Sequence, residues 1–159
     1  MNKKFLLSLV VIGMMSNVAW AGTYEWTSAW AQGFTENAVD DGNGNSLTIS
    51  CPDEDSEDAE GKDNSDVRAY ASIAANEYAS KDAAGVGFDV IVDGAKYSNP
   101  FETNCNACSA SFPAFWSALR NANNLQISAA GQTVKLPTKN IKTVLLALDN
   151  KENSCRSTW

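Results

Sequence analysis

Gly85-Val86-Gly87-Phe88-Asp89-Val90-Ile91-Val92, followed by Asp93-Gly94 and then Ala95-Lys96-Tyr97, reads as a β-hairpin. Phe88, Val90 and Val92 recur every second residue, so a strand places them on one face and Asp89 on the other. Asp-Gly tolerates the positive φ of a two-residue hairpin turn, so Ala95-Lys96-Tyr97 reads as the returning strand. A β-hairpin of this kind needs further strands to bury its apolar side.

Those strands are sought on both sides. Downstream, Leu125-Gln126-Ile127 and Val134-Lys135-Leu136 form two short strands around Ala130-Gly131. Upstream, Leu47-Thr48-Ile49-Ser50-Cys51 alternates, pointing Leu47, Ile49 and Cys51 inward. The Asp40–Asn45 stretch before it is a turn, and Tyr24-Glu25-Trp26-Thr27-Ser28-Ala29-Trp30 reads as a strand with Tyr24, Trp26 and Trp30 on one face. The two pair in hairpin fashion. Val67 to Ala79 suits a helix by its alanines and a strand by Val67, Ala69, Ala71 and Ile73; the strand is preferred.

Helical spacing comes late. Phe112, Phe115, Trp116 and Leu119 fall at i, i+3, i+4 and i+7, with Ser111 and Pro113 as start signals and Asn121–Asn124 as the stop. Asn104–Ser111 reads as a loop. Ile141, Val144, Leu145 and Leu148 share a face of a last helix that Thr138 or Asn140 could cap. The expected fold is mainly β with two helices in the C-terminal half, an antiparallel β-sandwich or open barrel. Trp26, Trp30, Phe112, Phe115 and Trp116 are expected in the core rather than along a carbohydrate or peptide groove. Trp159 falls outside every period, so it is the aromatic expected to be exposed.

Residues 1–21 read as a signal peptide: Lys3 and Lys4, an apolar run from Phe5 to Met15, then Ala19-Trp20-Ala21. The apolar run is too short to span a bilayer. Residues 22–159 would then be a single β-rich exported domain. Without Lys3 and Lys4 the chain holds ten basic and nineteen acidic residues, a net −9. That balance argues against nucleic acid and anionic membranes and favours a basic partner. Eight of the acids crowd between Pro52 and Asp66, where no bulky apolar residue could anchor the segment, so a mobile surface loop is expected.

Cys51, Cys105, Cys108 and Cys155 are even in number, and in an oxidising compartment they read as two disulfides. Three pairings are possible; Cys51–Cys155 with Cys105–Cys108 is preferred because the first joins an early strand to the end of the chain. Cys105-Asn106-Ala107-Cys108 also has the spacing of a redox pair, but the βα surroundings of a thioredoxin-like site are missing. Asp41-Gly42-Asn43-Gly44-Asn45 resembles the start of a calcium loop, but Pro52 stands where the twelfth-position Glu belongs, so a plain turn is expected.

The chain has no histidine, which excludes Ser-His-Asp and Cys-His triads and His-ligated zinc. Acid–base work by paired carboxylates needs fixed positions, and the acids sit mostly in a loop; Asp89 alternates outward and Asp93 is a turn residue.

Leu47-Thr48-Ile49-Ser50-Cys51, Phe88-Asp89-Val90-Ile91-Val92-Asp93-Gly94, Phe115-Trp116-Ser117-Ala118-Leu119-Arg120, Leu125-Gln126-Ile127 and a closing helix toward Cys155 together resemble the invasion-associated locus B family of small exported bacterial proteins. The resemblance implies an exported β-sandwich-like domain in a Gram-negative setting, periplasmic or secreted, and carries over no catalytic residue.

The expected function is that of an acidic binding protein, an inhibitor or immunity-type protein that docks on a basic hydrolase, toxin or envelope partner. Its contacts would come from Asp53, Glu54, Asp55, Glu57, Asp58 and Glu60, with Trp159 as an anchor. No enzyme activity, cofactor or metal is expected. The alternatives are a thiol–disulfide oxidoreductase using Cys105 and Cys108, and a structural or adhesive envelope component.

Overall fold

A computed structural model describes residues 22–52, 67–80, 86–103 and 106–155. The expected signal segment, the acidic loop with Asp53–Glu60, Cys105 and Trp159 lie outside them. Among the described residues nine strands and two helices follow in order: β1 (Thr27–Ala31), β2 (Phe34–Asp40), β3 (Ser46–Pro52), β4 (Arg68–Ile73), β5 (Asn76–Ala79), β6 (Asp89–Val92), β7 (Ala95–Ser98), α1 (Asn106–Arg120), β8 (Leu125–Ala129), β9 (Gln132–Leu136) and α2 (Ile141–Val144). They form two antiparallel sheets, a meander β1-β2-β3-β4-β5 and a second sheet in the order β7-β6-β8-β9. The mainly-β architecture with two late helices is the one the alternation patterns predict.

The inward residues come from those patterns. Leu47, Ile49 and Cys51 of β3 and Ala69, Ala71 and Ile73 of β4 are buried, as are Val90 and Val92 of β6 and Leu125 and Ile127 of β8. They join the apolar face of α1 in one core. Each fully buried Leu or Ile contributes about 1.5–3 kcal/mol. Phe115 docks the helix: its ring centroid lies 5.1 Å from both Tyr97 and Phe101, edge-on to the latter.

Four hairpins turn on two residues that both have positive φ: Gln32-Gly33, Ala74-Ala75, Asp93-Gly94 and Ala130-Gly131. That backbone matches the twist of the strands it joins. Gln32-Gly33 and Ala74-Ala75 lack the usual Asn-Gly or Asp-Gly signature, and this is why the sequence alone suggests fewer strands. Residues 67–79 hold two strands, β4 and β5. The hairpin partner of β3 is β2, paired from Asp40↔Ser46 to Phe34↔Pro52, and not the stretch from Tyr24 to Trp30.

Four further expectations need correction. Tyr24, Trp26 and Trp30 do not share a strand face, because Tyr24 has φ 52° and β1 starts only at Thr27. Trp26 is buried and tied to the 137–139 segment: its backbone N–H donates to the Lys139 carbonyl at 2.9 Å and its Nε1 to the Pro137 carbonyl at 3.1 Å. Trp30 sits on the outermost strand and is 67% exposed, so it is no core residue. The helix expected from Ser111 starts at Asn106, which makes residues 106–111 helical rather than loop and places Pro113 inside α1. Burial of Phe112, Phe115, Trp116 and Leu119 compensates for the N–H that proline cannot donate.

The last helix stops at Val144, and Leu145 is extended. The carbonyls a longer helix would use are taken by side chains instead. Arg120 Nε donates to the Leu145 carbonyl, and Trp116 Nε1 (2.8 Å) and Asn153 Nδ2 (2.9 Å) donate to that of Leu146. Asn140 stands at the N-cap position but makes no capping bond; its Nδ2 donates to Glu25.

Candidate functional site

The same alternation that buries Leu47 and Ile49 turns Ser46 and Thr48 to the outer face of the five-stranded sheet. Pairing places Thr27, Ala38, Thr48, Tyr70 and Ala79 side by side in one row across the strands. Asp40, Ser46, Ser72 and Glu77 form the next row. Small side chains at the centre of both rows leave the face hollow. A cavity of about 450 Å³ lies over Thr27, Ala38, Ser46, Thr48 and Ser72, with Asp40 and Glu77 in its walls. A second of about 370 Å³ shares Ser46, Thr48, Ser72 and Glu77 with it and extends to Tyr70, which is half exposed.

The β2–β3 turn builds one wall. The Asp40 carboxylate accepts from Gly42 N at 3.0 Å with one oxygen, and from Thr23 N (3.0 Å) and Oγ1 (3.1 Å) with the other. Asp41 folds the turn from inside, accepting from Asn43 N at 2.8 Å, Asn45 N at 3.2 Å and Asn45 Nδ2 at 2.7 Å. Partial burial pushes its pKa up, but the hydrogen bonds from Asn45 and Asn43 outweigh this and hold the carboxyl below the ordinary aspartate value. The Asp41 oxygens are therefore engaged in shaping the turn. Among the described residues no group of three His, Cys, Asp or Glu side chains converges as a metal site.

Both walls present carboxylates and the floor presents hydroxyls, while no Lys or Arg lines either cavity among the described residues. Such a face accepts hydrogen bonds and positive charge. Arg68 lies off to one side, its guanidinium 5.6 Å from the Phe34 ring centroid. Asp89, expected to face outward, is ion-paired to Lys96 at 2.7 Å. The Asp93 carboxylate accepts from Asn123 N at 3.1 Å and Asn124 N at 2.8 Å, a structural tie between the β6–β7 turn and the loop after α1.

The cysteines divide the molecule differently. Cys51 and Cys155 form a disulfide, with Cα atoms 4.7 Å apart. Cys108 is also disulfide-bonded and lies in the first turn of α1. Asp53, Glu54, Asp55, Glu57, Asp58, Glu60 and Trp159 fall outside the described residues, so the site above comes from other residues. Alternation through Ser46 and Thr48 signals its centre. Glu77 and Ala38 had no such signal, because β5 and β2 have no clear pattern.

Fold and face together define a disulfide-bridged, β-rich protein with an acid-walled sheet surface. The model of the YfjT family matches residues 24–145, and the chain belongs to that family. No curated protein and no solved structure matches it. No helix among the described residues is long and apolar enough to cross a membrane.

Proposed function

We propose that this is an exported acidic binding protein that docks on a basic protein, as inhibitors and immunity-type proteins dock on hydrolases, toxins or envelope components. The observation that carries the reading is the outer face of the first sheet, where Asp40 and Glu77 wall a hydroxyl-floored hollow with no basic side chain in its described lining. The net charge acts over a longer range and would speed encounter with a positive partner. Export is supported by the leader-like residues 1–21, by the disulfide between Cys51 and Cys155, and by the resemblance to invasion-associated locus B proteins. These features fit a periplasmic or secreted protein of a Gram-negative bacterium.

The test starts from the tagged protein exported with its own leader. Partners retained from an envelope extract are purified, and their affinity is measured against salt. Binding should weaken steeply as salt rises and should fall in the Glu77→Gln variant. An affinity indifferent to both would remove the charge argument.

One observation favours a second reading, a thiol–disulfide oxidoreductase. A helix N-terminus lowers a thiol pKa, and Cys108 lies in the first turn of α1 rather than in the loop expected there. Reduction of insulin by the dithiol form would support it; an ordinary thiol titration with no turnover would end it.

A further inference from the structure

Gly22 and Thr23, which lead into β1, line the acid-walled hollow beside Asp40. We propose that leader removal completes this wall: cleavage after Ala21 frees the α-amino group of Gly22, which as an ammonium pairs with the Asp40 carboxylate. The inference rests on the export reading above. A signal peptidase of the export machinery adds one water across the Ala21–Gly22 amide bond. The new carboxylate leaves with the leader, and both water protons end on the Gly22 nitrogen.

The residues after Gly22 hold it in place. Thr23 donates to Asp40 Oδ2 from N at 3.0 Å and from Oγ1 at 3.1 Å, and Tyr24 N donates to the Asp40 carbonyl at 3.1 Å. Glu25 is ion-paired to Lys139 at 2.8 Å, and Trp26 bonds to the Pro137 and Lys139 carbonyls. Gly22 itself lies tightly against the β2–β3 turn. An added Cβ would collide with Asp40 Oδ1 and with the backbone N and Cα of Gly42, so space alone calls for glycine at this position. The residue that the Ala19-Trp20-Ala21 pattern exposes as a new terminus is therefore the one that touches Asp40.

Asp40 has room for that ammonium. Its Oδ2 accepts twice from Thr23 and its Oδ1 once from Gly42 N, whereas an ionised carboxylate offers about four acceptor sites. The remaining one belongs to Oδ1, the oxygen against Gly22. All three donors are neutral, and no Lys or Arg lines the hollow among the described residues. The other titratable groups close by supply no cation either. Asp41 is turned into its own turn, Glu25 is held by Lys139 and Asn140, and the Tyr24 hydroxyl lies over Gly42. Glu77 stands in the same row as Asp40 but three strand spacings away, about 14 Å. An ammonium on Asp40 thus leaves Glu77 as the open carboxylate of the hollow.

The test uses isotope-labelled protein exported with its own leader. Intact mass should place the mature start at Gly22. The Gly22 Cα and Hα shifts should then titrate about 0.5–1 pH unit above the ordinary α-amine range of about 7.7–8.0, because a nearby carboxylate favours the charged form. In Asp40→Asn the midpoint should fall back into that range. Gly22→Ala keeps Asp40 and its bonds to Thr23 but pushes the terminus away, so its midpoint should fall too; it serves where Asp40→Asn does not fold. A different mature start, an ordinary midpoint in the unaltered protein, or an unchanged midpoint in either variant overturns the inference. A protein exported and cut after Ala21 that titrates in the ordinary range overturns it while leaving the export reading standing, whereas a chain that stays uncut in the cytoplasm overturns both.

Discussion

Cys51 and Cys155, separated by 104 residues, hold their Cα atoms 4.7 Å apart across the disulfide that joins β3 to the end of the described chain. Between them lie β4 and β5 of the first sheet, the whole of the second and both helices. Closing a loop of that size removes about 4–5 kcal/mol of chain entropy from the unfolded state in the usual model. Replacing both cysteines by serine should lower the free energy of urea unfolding by about that amount, with disulfide-intact protein as the reference.

Acid should weaken the β2–β3 turn through Asp41. Its folded pKa is depressed, so the stabilisation is fully present above the ordinary aspartate value, about 3.9, and is lost as pH falls through the lower folded value. Asp41→Asn should therefore unfold more easily than the original protein at neutral pH, and the difference should shrink toward pH 3 and below. Thermal unfolding across pH measures it.

Ala74 and Ala75 both take the left-handed conformation, at φ 50° and 63°. Alanine pays for that conformation with a Cβ clash that glycine lacks, although glycine loses more entropy on folding. Ala75→Gly keeps the bond from its N–H to the Gly44 carbonyl, 3.1 Å in the original. It should stabilise by roughly 0.5–1 kcal/mol in denaturant melts.

Removing the Asp93 carboxylate should loosen the link between the β6–β7 turn and the loop after α1. Two backbone donors, Asn123 N and Asn124 N, lose a charged acceptor at a solvent-exposed place. Asp93→Ala should cost about 1–2 kcal/mol and speed hydrogen exchange at both amides.

Glu77→Gln leaves the sheet intact, since its side chain is exposed and its backbone pairing with Ser72 is unchanged. Affinity for a basic partner should fall about two- to fivefold, with a shallower salt dependence in the same titration.

How much of this was legible depends on the range of the forces involved. Phe88, Val90 and Val92, or Leu47, Ile49 and Cys51, reveal their buried face because strand geometry repeats every two residues. Asp93-Gly94 and Ala130-Gly131 reveal turns because glycine tolerates positive φ. Ala74-Ala75 adopts the same turn without a local signal. Its position is stitched from the neighbouring turn, through Ala74 N to Asn45 Oδ1 at 2.8 Å and Ala75 N to the Gly44 carbonyl.

By itself, then, the amino-acid order determined a mainly-β chain with late helices, the inward face of each well-patterned strand and the parity that made Cys51 available for a disulfide. These follow from one- to four-residue periodicities that water enforces along the backbone. Tertiary structure alone decided that β2 separates β1 from β3, that Trp30, unlike Trp26, is exposed, that the last helix stops where Trp116 and Arg120 take its carbonyls, and that Asp40 and Glu77 face one hollow. Each of those depends on contacts between residues far apart in the chain, which no local pattern encodes.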